Sequence, residues 1–235
     1  QNQAVLFIQR GEEGVPEVLL DPNTWSSDGT VRLDTFAPSN DARYAVYGIS
    51  NSGSDWQEYR ILELGSRTTL PETIAWVKVS GVAWHGDGFY YSRYPAPAIG
   101  QEKASINEHH QVYFHRLRTP QSDDELVYED AIHPQRFHTL ATTDDERFAV
   151  LTISERGQGK DGNALYVRDL TKPSGEFIPI VAAIENESYQ VVDNDGESLI
   201  VQTNRRAPNW RVVRIDPEHP EEAHWTEILP ERAEP

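Results

Sequence analysis

Four times along the chain one pattern recurs: an apolar run, a tight turn rich in Asp, Asn and Gly, a second apolar run, then a third. The turns are Ser39-Asn40-Asp41 ahead of Tyr44-Ala45-Val46-Tyr47, Gly86-Asp87-Gly88 ahead of Phe89-Tyr90-Tyr91, Asp144-Asp145 ahead of Phe148-Ala149-Val150-Leu151, and Asn194-Asp195-Gly196 ahead of Leu199-Ile200-Val201. Their spacing, roughly 45 to 60 residues, is that of one supersecondary unit per repeat. Such a unit cannot bury its apolar surface alone, so neighbouring units must stack.

Each unit continues with a β-rich run: Gln57–Leu62, Gln111–Leu117, Ala164–Arg168 and Trp210–Ile215. Apolar and polar positions alternate in these runs at period two, which sets one face on a neighbouring sheet and the other toward solvent or a weaker contact. A fourth, weaker run closes each unit: Arg67–Leu70, Glu125–Tyr128, Glu176–Val181 and Trp225–Leu229. Four short antiparallel strands per unit, repeated radially, describe an all-β fold, the β-propeller; a β-sandwich with similar strand spacing is the alternative. The whole of 1–235 then reads as one domain, with blades at 30–72, 80–130, 136–182 and 188–230. Residues 1–22, with Ala4–Ile8 and Glu17–Leu20 as third and fourth strands, read as half a blade.

Composition narrows the partners. A formal net charge of −17 disfavours nucleic acid, which needs clustered Lys and Arg. No segment approaches the roughly 18 apolar residues of a membrane span. Cysteine is absent, so neither a disulfide framework nor thiolate chemistry is available. Methionine is absent too, and Gln1-Asn2-Gln3 opens no secretory signal pattern; the expectation is a piece of a longer protein.

Catalytic signatures are missing. The nucleophile elbow G-x-S-x-G fails at the last position of Gly48-Ile49-Ser50-Asn51-Ser52. There is no H-E-x-x-H, phosphate loop or dinucleotide fingerprint, so no catalytic residue and no cofactor are expected. No metal is expected either: His109-His110 and His115 lie in or beside a polar connector where adjacent side chains diverge, and His219 and His224 read as solvated in an acidic loop. Trp84 and Trp210 read as packing residues. The connectors 94–111 and 154–163 are long enough to serve recognition.

Several segments carry a resemblance. They are Leu20-Asp21-Pro22-Asn23, Ser26-Ser27-Asp28-Gly29-Thr30, Tyr47-Gly48-Ile49-Ser50 with Ser52-Gly53-Ser54-Asp55-Trp56, and Val82-Ala83-Trp84 with Phe89-Tyr90-Tyr91 and Tyr94-Pro95. Gly162-Asn163-Ala164-Leu165-Tyr166-Val167-Arg168-Asp169-Leu170 and Thr203-Asn204-Arg205-Arg206-Ala207-Pro208-Asn209-Trp210-Arg211-Val212 complete the set. In this order they resemble the propeller domain of the prolyl oligopeptidase family of serine peptidases.

The resemblance implies a seven-bladed propeller set into a peptidase whose α/β-hydrolase domain carries a Ser-Asp-His triad. It implies a gate that excludes folded proteins and admits short proline-containing peptides, cut after proline. This sequence would hold part of the propeller and none of the hydrolase domain, its partner in the parent chain. Two substrate contacts carry over: Tyr90 as an aromatic wall, and Arg156 as the nearest match to a substrate-binding arginine. The compartment implied is the cytoplasm, with the periplasm as alternative. Open propeller edges carrying Val5, Phe7, Ile200 and Trp225 would favour self-association. The competing function is a stand-alone propeller that scaffolds protein partners; a G-x-S-x-G downstream in the reading frame separates the two.

Overall fold

The computed structural model describes residues 3–51, 53–98, 107–155, 157, 159–172 and 175–233. The chain divides into two compact units, Gln1–Lys78 with Leu117–Asp124, and Val79–Arg116 with Glu125–Pro235.

In the first unit β1 (Leu6–Ile8) and β2 (Glu17–Leu20) form an antiparallel pair. Strands β3 (Val31–Pro38), β4 (Tyr44–Asn51), β5 (Gln57–Glu63) and β6 (Thr68–Val77) pair antiparallel in chain order. Leu20, Tyr47 and Leu62 form a core onto which Leu6, Leu33, Phe36 and Ile49 pack. β6 runs well beyond the Arg67–Leu70 expected from sequence, because Pro71 sits exposed in the strand and register shifts in the β5 pairing absorb it. Farther along, the Gln121 side chain imitates a strand neighbour: its Oε1 accepts from Ala75 N at 3.0 Å and its Nε2 donates to Ala75 O at 3.1 Å.

The second unit holds three sets of antiparallel strands. β7 (Ala83–His85), β8 (Gly88–Arg93), β9 (Gln111–Arg116) and β10 (Glu125–Tyr128) pair in order. So do β11 (Arg136–Thr142), β12 (Phe148–Glu155), β13 (Ala164–Asp169) and β14 (Ile178–Val181). The last set is β15 (Tyr189–Asp195), β16 (Ser198–Thr203), β17 (Arg211–Ile215) and β18 (Thr226–Leu229).

The repeat persists at atomic detail. In the β3–β4 turn, Asp41 accepts from Arg43 N at 3.0 Å and from the Ser39 hydroxyl at 2.7 Å, and Ala42 takes φ +54°. In the β11–β12 turn, Asp145 accepts from Arg147 N at 3.0 Å and from the Thr143 hydroxyl at 2.9 Å, and Glu146 takes φ +58°. Both carboxyls sit below their ordinary pKa, Asp41 chiefly through Ser39 and Asp145 chiefly through Asn194. Two different sequences thus build one turn, because each supplies a hydroxyl, then Asp two residues on.

Strand β12 shows how the sheets are held. Ala149, Leu151 and Ile153 enter a core shared with Tyr90, Val112, Phe114 and Leu140, while Phe148 and Val150 enter another shared with Leu199, Val201, Val213 and Ile215. Period two therefore sends alternate residues into two apolar interfaces, and the strand reads as a continuous apolar run. The third strand does likewise: Ala164 and Tyr166 face the first core, Leu165 and Val167 the second, so neither face is left to solvent. Trp225, expected on an open edge, instead packs on the second core, 6.1 Å from the Tyr189 ring, with its indole N–H on Pro220 O.

Polar ties cross the first interface. Thr142 Oγ1 donates to Trp84 O, and Ser92 Oγ to His138 O. His110 and His138, both fully buried, clasp each other: His138 N donates to His110 Nδ1 at 2.9 Å, and His138 Nδ1 to His110 O at 2.5 Å. Burial lowers the His138 pKa, opposed by the His110 carbonyl and Asp130, while Arg136 adds to the lowering. A folded pKa below the unfolded 6.5 means the folded state binds fewer protons, so stability falls as pH drops through about 6.5 toward the folded value. Urea unfolding at pH 7.5 and 5.5 should show lower stability at the acid pH, and His138→Gln should shrink that drop; an equal drop in the variant would assign it elsewhere.

Candidate functional site around Tyr90

Tyr90 lies on β8 immediately after a turn that only glycine can serve. Gly86 takes φ +56°, and a Cβ on Gly88 would stand 2.2 Å from His115 O and 2.7 Å from the Phe114 ring. This closeness of β8 to β9 presses Tyr90 against Phe114, with ring centroids 4.7 Å apart, and leaves His85 nearly parallel to Tyr90 at 6.3 Å. Tyr90 is only 6% exposed.

The rim of this aromatic floor is charged. A cavity of about 250 Å³ is lined by His85, Tyr90, Phe114, Arg116, Glu125 and Arg168, among others. Arg116 pairs with Asp87 at 3.2 Å, and Glu146 accepts from Gly86 N at 2.8 Å while standing 3.7 Å from His85 Nδ1. Lys172, also at the rim, is shared between Asp169 and Glu218 at 3.8 and 3.5 Å. Arg168 differs: among the described residues its guanidinium has no hydrogen-bond or ion-pair partner, and its Nε is buried. Burial pushes the Tyr90 phenol above its ordinary pKa, against the pull of Arg168. Tyr90 is therefore neutral at physiological pH, an apolar wall with one hydroxyl rather than a base.

The arrangement can hold an apolar group on a ring and an acceptor near a guanidinium. Its lining residues pair no nucleophile with a base, in keeping with the absent elbow motif. Of the two substrate contacts carried over by resemblance, Tyr90 lies at this cavity and Arg156 lies outside the described residues. Arg168 was not singled out from sequence, where it reads as a polar position in an alternating strand. The histidines His110, His115 and His138 are all buried, although the first was read as part of a polar connector.

Antiparallel four-stranded sheets stacked through apolar faces, joined within each sheet by short Asp- and Gly-bearing turns, define a β-propeller domain. The chain belongs to the family described as prolyl oligopeptidase, N-terminal β-propeller domain, whose model matches residues 1–235. It is 37% identical to the prolyl endopeptidase of Elizabethkingia meningoseptica and 36% to that of Elizabethkingia miricola, in each case over all of this chain and 33% of the relative. The chain thus spans about a third of the length of the curated relatives it matches. Among solved structures, a prolyl endopeptidase studied for inter-domain dynamics in catalysis and specificity superposes with TM-score 0.84 at 30% identity, covering 99% of this chain and 32% of that one. Prolyl oligopeptidase B from Galerina marginata, bound to a 35mer hydrolysis and macrocyclization substrate, superposes with TM-score 0.86; at 24% identity it speaks for the fold alone.

Tyr90→Ala should cost about 3 kcal/mol of stability, because a buried ring leaves a cavity against Phe114, whereas Tyr90→Phe should cost under about 1.5 kcal/mol. Equilibrium denaturation of both variants tests this; equal losses would show that the hydroxyl, not the ring, holds the site.

Proposed function

We propose that this chain is the gating propeller of a prolyl oligopeptidase-type serine endopeptidase that cleaves short peptides after proline. The match of the family description along all of residues 1–235 carries the reading. It is supported by relatives named prolyl endopeptidase at 36 and 37% identity over the whole chain. A gate selects by size: a narrow passage admits an extended segment and excludes a folded one on steric grounds. The hydrolase domain of the parent polypeptide supplies nucleophile, base and oxyanion donors, and the propeller supplies access and minor contacts. The enzyme acts in the cytoplasm on short proline-containing peptides.

In the parent enzyme, Tyr90 forms an aromatic wall of a substrate pocket and Arg156 meets a backbone carbonyl. Tyr90→Phe and Arg156→Ala separate these roles, since the first keeps the wall; Arg156→Ala should lower kcat/KM by about 1 to 2 kcal/mol with little change in stability. Unchanged kinetics would remove Arg156 from the substrate.

The assay that tests the reading compares the purified 235-residue chain with the parent polypeptide, using a short peptide that releases a chromophore after proline. The parent should turn it over and leave a folded protein intact, and the chain alone should give none. Turnover by the chain alone that a fluorophosphonate blocks, or rapid cleavage of folded proteins by the parent, would overturn it.

The isolated chain should also self-associate. Val192 is 61% exposed, Leu229 57% and Phe7 55%, apolar surface of the kind that promotes association, while the −17 charge opposes precipitation. Sedimentation across a concentration series should show mass rising with concentration; a monomer throughout would refute it.

A further inference from the structure

The loop joining β17 to β18 brings three metal-ligating side chains together. His219, Glu221 and His224 each offer a donor atom, and these atoms all lie within 4.8 Å of one another. His224 Nδ1 stands 3.3 Å from Glu221 Oε2, and the two imidazole rings sit 5.7 Å apart and nearly perpendicular. Two ligands bound at about 2.0 to 2.1 Å to one tetrahedral ion lie about 3.3 to 3.4 Å apart, so the His224–Glu221 spacing already suits a shared ion.

The loop backbone is fixed around these donors. His219 N donates to Asp216 O at 3.0 Å, His224 N to Glu221 O at 2.8 Å, and Trp225 Nε1 to Pro220 O at 2.8 Å from its seat on the core. The neighbouring Glu222 is already committed, held by Arg205 at 3.0 Å, Arg206 at 3.3 Å and Arg211 at 3.8 Å. That division leaves Glu221 as the carboxylate facing the two histidines. Its pKa is lowered, chiefly by a backbone hydrogen bond and also by His224 and His219, so it is ionised at neutral pH.

We propose that His219, Glu221 and His224 bind a divalent transition metal, Zn²⁺ in the first place. Two imidazoles and one carboxylate suit zinc and its neighbours and disfavour the all-oxygen preference of Ca²⁺ and Mg²⁺. Side chains of Glu221 and His224 are more than half exposed, so water completes the coordination and the affinity is on the order of micromolar rather than that of a closed structural site. The ion cross-links the loop that leads into β18, a strand exposed along its whole length.

The test uses the whole chain, free of any histidine tag. Titration with Zn²⁺ in a calorimeter should give one site per chain, and Co²⁺ should develop visible d–d absorption. His219→Gln, Glu221→Gln and His224→Gln should each weaken binding at least tenfold and abolish the Zn²⁺-induced rise in melting temperature. His133→Gln, which removes a half-buried histidine beside Asp130 on another loop, should change neither. Absence of binding up to millimolar Zn²⁺, or equal affinity in the wild type and the three loop variants, would overturn the proposal.

Discussion

Everything in the second unit depends on inner strands that bury both faces. β12 cannot be stable in an isolated sheet, because Phe148 and Val150 point one way and Ala149, Leu151 and Ile153 the other, each into a separate apolar interface. A one-residue slip in its register would exchange the two sets and bring Phe148 into a space shaped for Ala149. The stacking of sheets is thus a consequence of the side-chain period, and the turns need only hold that register. They do so with short-range hydrogen bonds: the Thr143 hydroxyl accepts from Phe148 N at 3.0 Å while its backbone N–H donates to Phe148 O at 3.1 Å, fixing the first residue of the strand.

The packing of these sheets also governs chemistry at Tyr90. A ring pressed against Phe114 is a rigid wall, and the same burial that fixes it keeps the phenol protonated. Among the described residues most cations have carboxylates in reach, as expected where 38 acidic residues face 21 Lys and Arg. Arg147 meets Asp169 and Glu197, and Arg205 meets Glu187 and Glu222. Surface pairs of this kind add little stability each. Their larger effect is to cancel positive potential, which leaves the uncommitted guanidinium of Arg168 as a local positive charge at the rim of the Tyr90 cavity.

Much of the fold was legible in the sequence because its determinants are local. The turn at Ser39-Asn40-Asp41 and the apolar run Phe148–Leu151 each carry their own signal within a handful of residues. β6 was under-read because Pro71 interrupts the pattern, and a proline in an exposed strand position costs less than the rule assumes. Trp225 packs inward because it precedes β18, at the end of the turn at Glu222–His224, where its indole N–H reaches Pro220 O; the alternation of the strand that follows does not set its face. The His110–His138 clasp joins residues 28 apart through the ring Nδ1 of each, one backbone N–H and one carbonyl, and no local pattern encodes such a contact.

The site was less legible than the fold, for a related reason. Tyr90 stands out in an aromatic run, but its partner Arg168 comes from a different sheet and is defined by what it lacks, a carboxylate within reach. The same holds at the β17–β18 loop, where Glu221 and Glu222 are equivalent in sequence and become different only when three arginines converge on one of them. Charge assignment in a propeller is settled by neighbouring strands and sheets, not by neighbours in the chain. Repeats of nearly identical backbone can therefore carry different surface chemistry, and the blade architecture leaves its loops free to acquire sites while its inner strands stay fixed by the two interfaces they fill.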